Sequence, residues 1–310
     1  MLRRSDWRIK AALQKIISLL PAGHHIHFAF QKYVSRNLRL TDFTLQDRLD
    51  HVSRHLHAYR TRSGGELPEK VLEIGTGWYP LVPLGLYLCG AKSVTTVDLR
   101  PHFRPDLWYT MIRRLAEWDA EGRLEVALPE MDRQRWGEIK GFSLDGDLAG
   151  LLKRLPIRFC IGDATRLDLE AGSMDLIFSN NVFEHIPRRI LLPILKENRR
   201  LLRPSGILSH YIDLTDHYFY SDPAIHPWHF LKYSPRQWSR IENRFQSQNR
   251  LRVGEYRSLF AEAGLQILSE ENEAGDPEVL RLAILHPDFQ DLPFDETLVR
   301  YSHIVAGLRR

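Results

Sequence analysis

The stretch VLEIGTGWYP, Val71 to Pro80, constrains the chain more than any other. An apolar run carrying one carboxylate, Glu73, meets Gly75 and Gly77, and a second apolar run follows from Pro80 to Leu88. This reads as a buried strand, a glycine turn and a helix. SVTTVDL, Ser93 to Leu99, then reads as a second strand. Strand, turn, helix, strand is the opening of an open parallel α/β sheet, where ligands bind beyond the carboxyl ends of the strands. Gly75 and Gly77 lack the Cβ atoms that would keep a ligand from the backbone. Asp98 ends the second strand about 20 residues later, where a carboxylate can accept both hydroxyls of a ribose. A dinucleotide would also need a third glycine and an open helix N-terminus for its pyrophosphate. Trp78, Tyr79 and Pro80 occupy that place. The turn therefore favours a nucleoside ligand without a pyrophosphate, and Glu73 is expected either to fasten the turn by accepting backbone N–H groups or to meet the ligand.

The remaining pattern extends the sheet. IRFCIGDA (157–164), MDLIFSNNVFEHI (174–186) and GILSHYID (206–213) read as the third to fifth strands with their exits. A helix is expected over 187–203, a helix and strand over EYRSLFAEAGLQILSE, and a last strand over Tyr301 to Leu308. Residues 1–64 read as a helical region and candidate lid, with Leu45, Leu49, Val52, Leu56 and Tyr59 at helical spacing. Residues 65–310 read as the ligand-binding domain, interrupted by insertions at about 100–156 and 214–250. The helical region and both insertions are expected to cover the carboxyl end of the sheet.

The motifs LEIGTG (72–77), VDL (97–99), GDA (162–164) and DLIFSNNVFEHI, in this order, resemble the class I S-adenosylmethionine-dependent methyltransferases, and the last is similar to their small-molecule branch. The resemblance covers about residues 68–213 well and 254–270 loosely. It implies a Rossmann-like α/β fold, S-adenosyl-L-methionine as cofactor and methyl transfer to a small or medium-sized acceptor, with oxygen or nitrogen favoured over carbon. By position, Gly75, Thr76 and Gly77 would line the methionine and ribose side. Asp98 would bind the ribose hydroxyls, Leu99 would pack on adenine, Asp163 and Ala164 would meet its ring, and Asn180 would face the methionine portion. Tyr79 departs from the third glycine of many members, which bears on the shape of the turn.

Methyl transfer from a sulfonium needs alignment, exclusion of water and, for a hydroxyl or protonated amine, a base. His185 follows the fourth strand, and Asp213 with His217 follows the fifth; these are the candidates for that role, and Asn181 is a candidate for orienting the acceptor. Asp213, Asp216, His217, Asp222, His226 and His229, like the HHIH at 24–27, show no fixed metal-ligand spacing, and no metal is expected.

A formal net charge of +4, from 43 Lys+Arg against 39 Asp+Glu spread along the chain, gives no basic stripe, and no nucleic-acid partner is expected. The fourth-strand exit also lacks the two prolines of an (N/D)PP(Y/F/W) signature. Cys89 and Cys160 are expected as buried thiols. Lys10 and Lys15 interrupt the apolar start, which argues against a signal peptide and for a cytoplasmic chain. Trp7, Leu13, Ile16, Ile17 and Leu20 are expected to share a helix face packed on the protein, with peripheral membrane contact through residues 1–20 as the alternative.

Overall fold

In the computed structural model, residues 6–20, 26, 28, 38–144, 148–245 and 247–309 are described. Arg3, Arg4 and the histidines of HHIH lie outside them. Seven strands form one sheet: β1 (Lys70–Ile74), β2 (Ser93–Asp98), β3 (Ile157–Ile161), β4 (Met174–Asn180), β5 (Leu202–Asp213), β6 (Leu265–Ala274) and β7 (Val299–Leu308). Their order is β3-β2-β1-β4-β5-β7-β6. The first five run parallel, and β7 enters antiparallel between β5 and β6. Every residue of the central strand β4 is buried. Both faces of such a strand are covered, which is why its sequence is an apolar run without alternation.

Alternate residues of the strands feed two cores. Val71, Leu176 and Phe178 face one layer, while Leu72, Ile74 and Ile177 face the other. The first layer holds α1's successor α2 (Asp42–Ser63) together with α3 (Leu81–Leu88), whereas α1 itself (Trp7–Leu19) lies elsewhere. Thr41 caps α2 through a reciprocal bond pair with Thr44, and Gly64 ends it in the left-handed conformation. The expected 100–156 insertion is helical: α4 (Pro105–Ala120), α5 (Arg123–Ala127), α6 (Arg133–Leu144) and α7 (Leu148–Arg154). Trp108, Trp118 and Trp136 seat these helices in the first layer, beside α2 and α3, so they do not lie over the strand ends. The second layer contains α8 (Arg188–Leu201) and, after a short α9 (Pro235–Ile241), α10 (Val253–Glu262).

The 214–250 insertion makes a third cluster in which Tyr218, Trp228, Phe230 and Trp238 bury against Trp7 and Ala11 of α1. The backbone N–H of Trp7 donates to Asp222 at 2.9 Å, and Lys15 Nζ donates to the Glu242 carbonyl at 2.7 Å. These ties turn α1 differently from expectation. Its buried residues are Trp7, Ala11, Gln14, Ile17 and Ser18, whereas Leu13, Ile16 and Leu20 are exposed together with Ile9. Trp7 sets the rotation, because its ring needs the aromatic pocket of Tyr218, His229 and Tyr233. No helix among the described residues is long and apolar enough to cross a membrane. Cys89 and Cys160 are free, the first buried and the second only half-buried.

Candidate active site

Beyond the carboxyl ends of β1, β2 and β4 lies a cavity of about 550 Å³. The turn after β1 forms its floor. Gly75 and Gly77 have φ of 88° and 62°, a region that strains residues with a Cβ. A Cβ on Gly75 would also collide with Cγ2 of Val182, so the turn packs against the exit of β4 with no room for a side chain. The following helix begins only at Leu81, with Pro80 as its N-cap and no side-chain cap. Gly77 is thus no helix N-terminus, in keeping with a ligand that has no pyrophosphate.

Asp98 fastens this turn. Its Oδ2 accepts from the Gly77 backbone N–H at 3.3 Å, and its Oδ1 accepts from the Arg100 N–H at 3.1 Å. Glu73 fastens it too, but through hydroxyls and not, as expected for one of its two roles, through backbone amides. Its Oε2 accepts from Thr96 Oγ1 at 2.6 Å, and Thr96 meets the Thr76 hydroxyl at 2.5 Å. Burial raises the Glu73 pKa to about 8, against a smaller opposing effect of the Thr96 bond. Leu99 is 73% exposed at the cavity wall, an apolar side chain left uncovered by the protein itself. Asp163, after β3, accepts from the Thr165 N–H at 2.9 Å and stands beside Ala164 on the same wall.

At the exit of β4 two asparagines turn the chain. Asn181 takes φ of 53°, which Asn tolerates better than most residues. Its buried Oδ1 has no hydrogen-bond partner among the described residues. Asn180 is buried. Its Oδ1 accepts from His55 Nε2 at 3.0 Å, and its Nδ2 has no partner among the described residues. His55 Nδ1 lies 2.7 Å from Ser209 Oγ, which lies 2.8 Å from His303 Nε2. With Nε2 of His55 donating, Ser209 must donate to Nδ1 and accept from His303. Burial keeps His55 neutral, its pKa well below the ordinary imidazole value, and the neighbouring His303 and His51 add to the effect.

His185 also lines the cavity. Its Nδ1 donates to the Ser247 carbonyl at 2.6 Å, which leaves the lone pair on Nε2. Burial and the adjacent His217 lower its pKa to about 4. The rings of His185 and His217 meet edge to face at 4.8 Å between centroids. His217 Nε2 is in turn 3.3 Å from Asp213 Oδ2. Burial opposes the charge of Asp213, but His217, Thr215 and Tyr220 outweigh it and hold its pKa below the usual range. Asp213 and His217 therefore stand behind the cavity wall, and of the three catalytic candidates only His185 reaches the wall.

Glu73, Gly75, Thr76, Gly77, Asp98, Leu99, Asp163, Ala164 and Asn180 all line this one cavity. The insertions contribute little to it: Arg100 and His102 precede α4, and Arg244 comes from the second. Trp78 and Tyr79 close the side facing the N-terminal segment, with the Trp78 ring 5.1 Å from that of Phe28 and the Tyr79 hydroxyl donating to the Leu38 carbonyl at 2.7 Å. Two residues of α2 were not legible in the sequence as site residues. His55 is one. Arg48 is the other, a half-buried guanidinium on the cavity wall with no hydrogen bond or ion pair among the described residues. Both occupy ordinary positions of an amphipathic helix, and only the docking of α2 on β5 brings them to the site.

A family model described as a methyltransferase domain matches residues 138–209, from α6 into β5. The matched segment contains β3, β4 and the wall residues Asp163, Asn180 and His185. Over that segment the chain matches the methyltransferase-domain family, in keeping with the resemblance carried by its motifs. The chain is similar in fold to a protein of Pyrococcus horikoshii, at 18% identity over 92% of this chain and 99% of that one, with a TM-score of 0.49. It is also similar to a geranyl diphosphate C-methyltransferase of Streptomyces coelicolor (13% identity, 85% and 79% of the two chains, TM-score 0.45). A TehB-like methyltransferase of Corynebacterium glutamicum matches at 15% identity over 82% and 88%, with a TM-score of 0.37. No curated protein matches the chain significantly in sequence.

Proposed function

We propose that this methyltransferase transfers the methyl group of S-adenosylmethionine to an oxygen or nitrogen of a small or medium-sized acceptor held against His185. One observation carries the reading. A single cavity presents nucleoside-type partners at one end, Asp98, Leu99 and Asp163, and Asn181 with His185 at the other. The walls fit the cofactor: the bare apolar surface of Leu99 suits adenine, the Gly75 turn leaves the backbone open, and the unpartnered Nδ2 of Asn180 awaits an acceptor atom. S-adenosylmethionine supplies an electrophilic methyl on a sulfonium, so the protein's part is alignment and exclusion of water. Asp98 holds the ribose hydroxyls, and Asp163 with Ala164 holds the adenine edge. Asn180 faces the methionine portion, with His55 fixing its amide. The acceptor's O–H or N–H meets the Nε2 lone pair of His185, and His217 and Asp213 hold that ring from behind.

Release of S-adenosylhomocysteine across a panel of small hydroxyl, amine and carboxylate acceptors, with RNA and DNA oligonucleotides alongside, tests this reading. Turnover on a small acceptor is expected, and turnover on oligonucleotides alone contradicts it. On the active acceptor, His185→Ala is expected to lower turnover about tenfold or more while S-adenosylhomocysteine still binds. Equal turnover would remove His185 from the reaction.

Arg48 gives a separate expectation. A half-buried cation on this wall, with no hydrogen bond or ion pair among the described residues, suits the carboxylate of the cofactor's methionine end. Arg48→Ala is expected to weaken S-adenosylhomocysteine about tenfold and to leave 5′-methylthioadenosine, which lacks the amino-acid portion, unchanged. Calorimetry with both ligands checks this, and equal loss for the two would place Arg48 elsewhere.

A further inference from the structure

We propose that Glu184, His185 and His217 form a site for a divalent transition-metal cation of the zinc, manganese or iron(II) class, behind the His185 wall at the acceptor end of the cavity. One potential ligand atom from each residue lies within 4.8 Å of the others. Ligands at about 2.0–2.2 Å from a common ion stand roughly 3–4.4 Å apart, so a small closure of side chains completes the group. Two imidazoles and one carboxylate select borderline cations over magnesium or calcium, which take oxygen ligands.

The second, independent observation is the state of Glu184. It is 2% exposed, and neither carboxylate oxygen has a partner in hydrogen-bonding geometry among the described residues. The donors beside it are its own backbone N–H and that of Asp213. An unpaired buried carboxylate is costly, and an ion is one of the few things that repays it. The surroundings complete the case. Nδ1–H of His185 is committed to the Ser247 carbonyl, the arrangement that orients a metal-ligating histidine and frees its other nitrogen. His217 Nε2 lies beside Asp213, a carboxylate itself held by Thr215 and Tyr220. Asp213 and Glu184 would bring two negative charges to balance the cation.

The inference rests on the proposed function only in placing the cation beside the acceptor. With a cation bound, Nε2 of His185 would be one of its ligands, so the imidazole would act as a free base only in the cation-free protein. The chelator-stripped full-length protein is titrated with Co²⁺, read by its visible absorption, and with Zn²⁺, read by calorimetry. Saturation at about one equivalent is expected. Glu184→Gln and His217→Ala are each expected to weaken it at least tenfold or so, with S-adenosylhomocysteine binding retained as the check on folding. Absence of saturable binding, or wild-type binding by whichever variants retain S-adenosylhomocysteine, overturns the site. Metal-free turnover on a small acceptor with no cation bound leaves the proposed function standing and overturns this inference alone. Oligonucleotide-only turnover overturns the proposed function without touching a measured cation affinity.

Discussion

Asp98→Ala is expected to weaken S-adenosylhomocysteine binding by about 10- to 100-fold. The carboxylate does two things at once. In the protein alone it holds the Gly77 N–H and the Arg100 N–H, and so fixes the turn that floors the cavity. In the complex it is the partner assigned to the ribose hydroxyls, and hydrogen bonds to a charged group are worth roughly 1.5–3 kcal/mol each. Removal costs the ligand its ribose partner and leaves the glycine turn less ordered. Asp98→Asn, which keeps the shape and loses the charge, is expected to fall between. Calorimetric titration reads both, and unchanged affinity in the alanine variant would take Asp98 out of the site.

Glu73→Gln is expected to change the pH dependence of stability. In the folded protein burial holds the Glu73 pKa at about 8, while the unfolded chain ionises it near the ordinary value of 4.5. Between these two values the folded state binds more protons than the unfolded one, so stability falls as pH rises. The stabilising contribution is complete below 4.5 and is lost progressively up to about pH 8. At about 1.4 kcal/mol per unit, roughly 3 kcal/mol has gone by pH 7. The side-chain amide of the variant has no proton to lose and can still accept from Thr96, so the variant's stability should stay flatter across this window. Denaturant unfolding at pH 5 and pH 7 makes the comparison. Parallel losses in the two proteins would mean that Glu73 is charged in the fold.

The sheet was legible because its strands are unusually plain. VLEI and MDLIFSN are buried on both faces, so their apolar runs survive with little interruption, and the glycines and Asp98 sit where strand ends must meet a ligand. The cavity wall followed from those ends, since residues at the carboxyl edge of neighbouring parallel strands converge whatever lies between them. The helical parts were less legible. Helical spacing shows that α1 has an apolar side, but Leu13 and Ile16 lie as close to that side as Ile17 does. Only the pocket for the Trp7 ring decides the rotation. The 100–156 insertion was read as a cover because sequence alone does not say which layer three tryptophans will join. Arg48 and His55 went unnoticed for the same reason. Their places beside the cavity depend on α2 docking against β5, a contact between segments about 150 residues apart that no local pattern announces.

The cavity at the ends of β1, β2 and β4 is the proposed S-adenosylmethionine site. The most direct measurement is a crystal structure of the protein with S-adenosylhomocysteine. The ribose is expected within hydrogen-bonding distance of Asp98, the adenine against Leu99 and Asp163, and the sulfur turned toward Asn181 and His185. A ligand bound anywhere else, or one lying in this cavity with its ribose away from Asp98, would contradict the account.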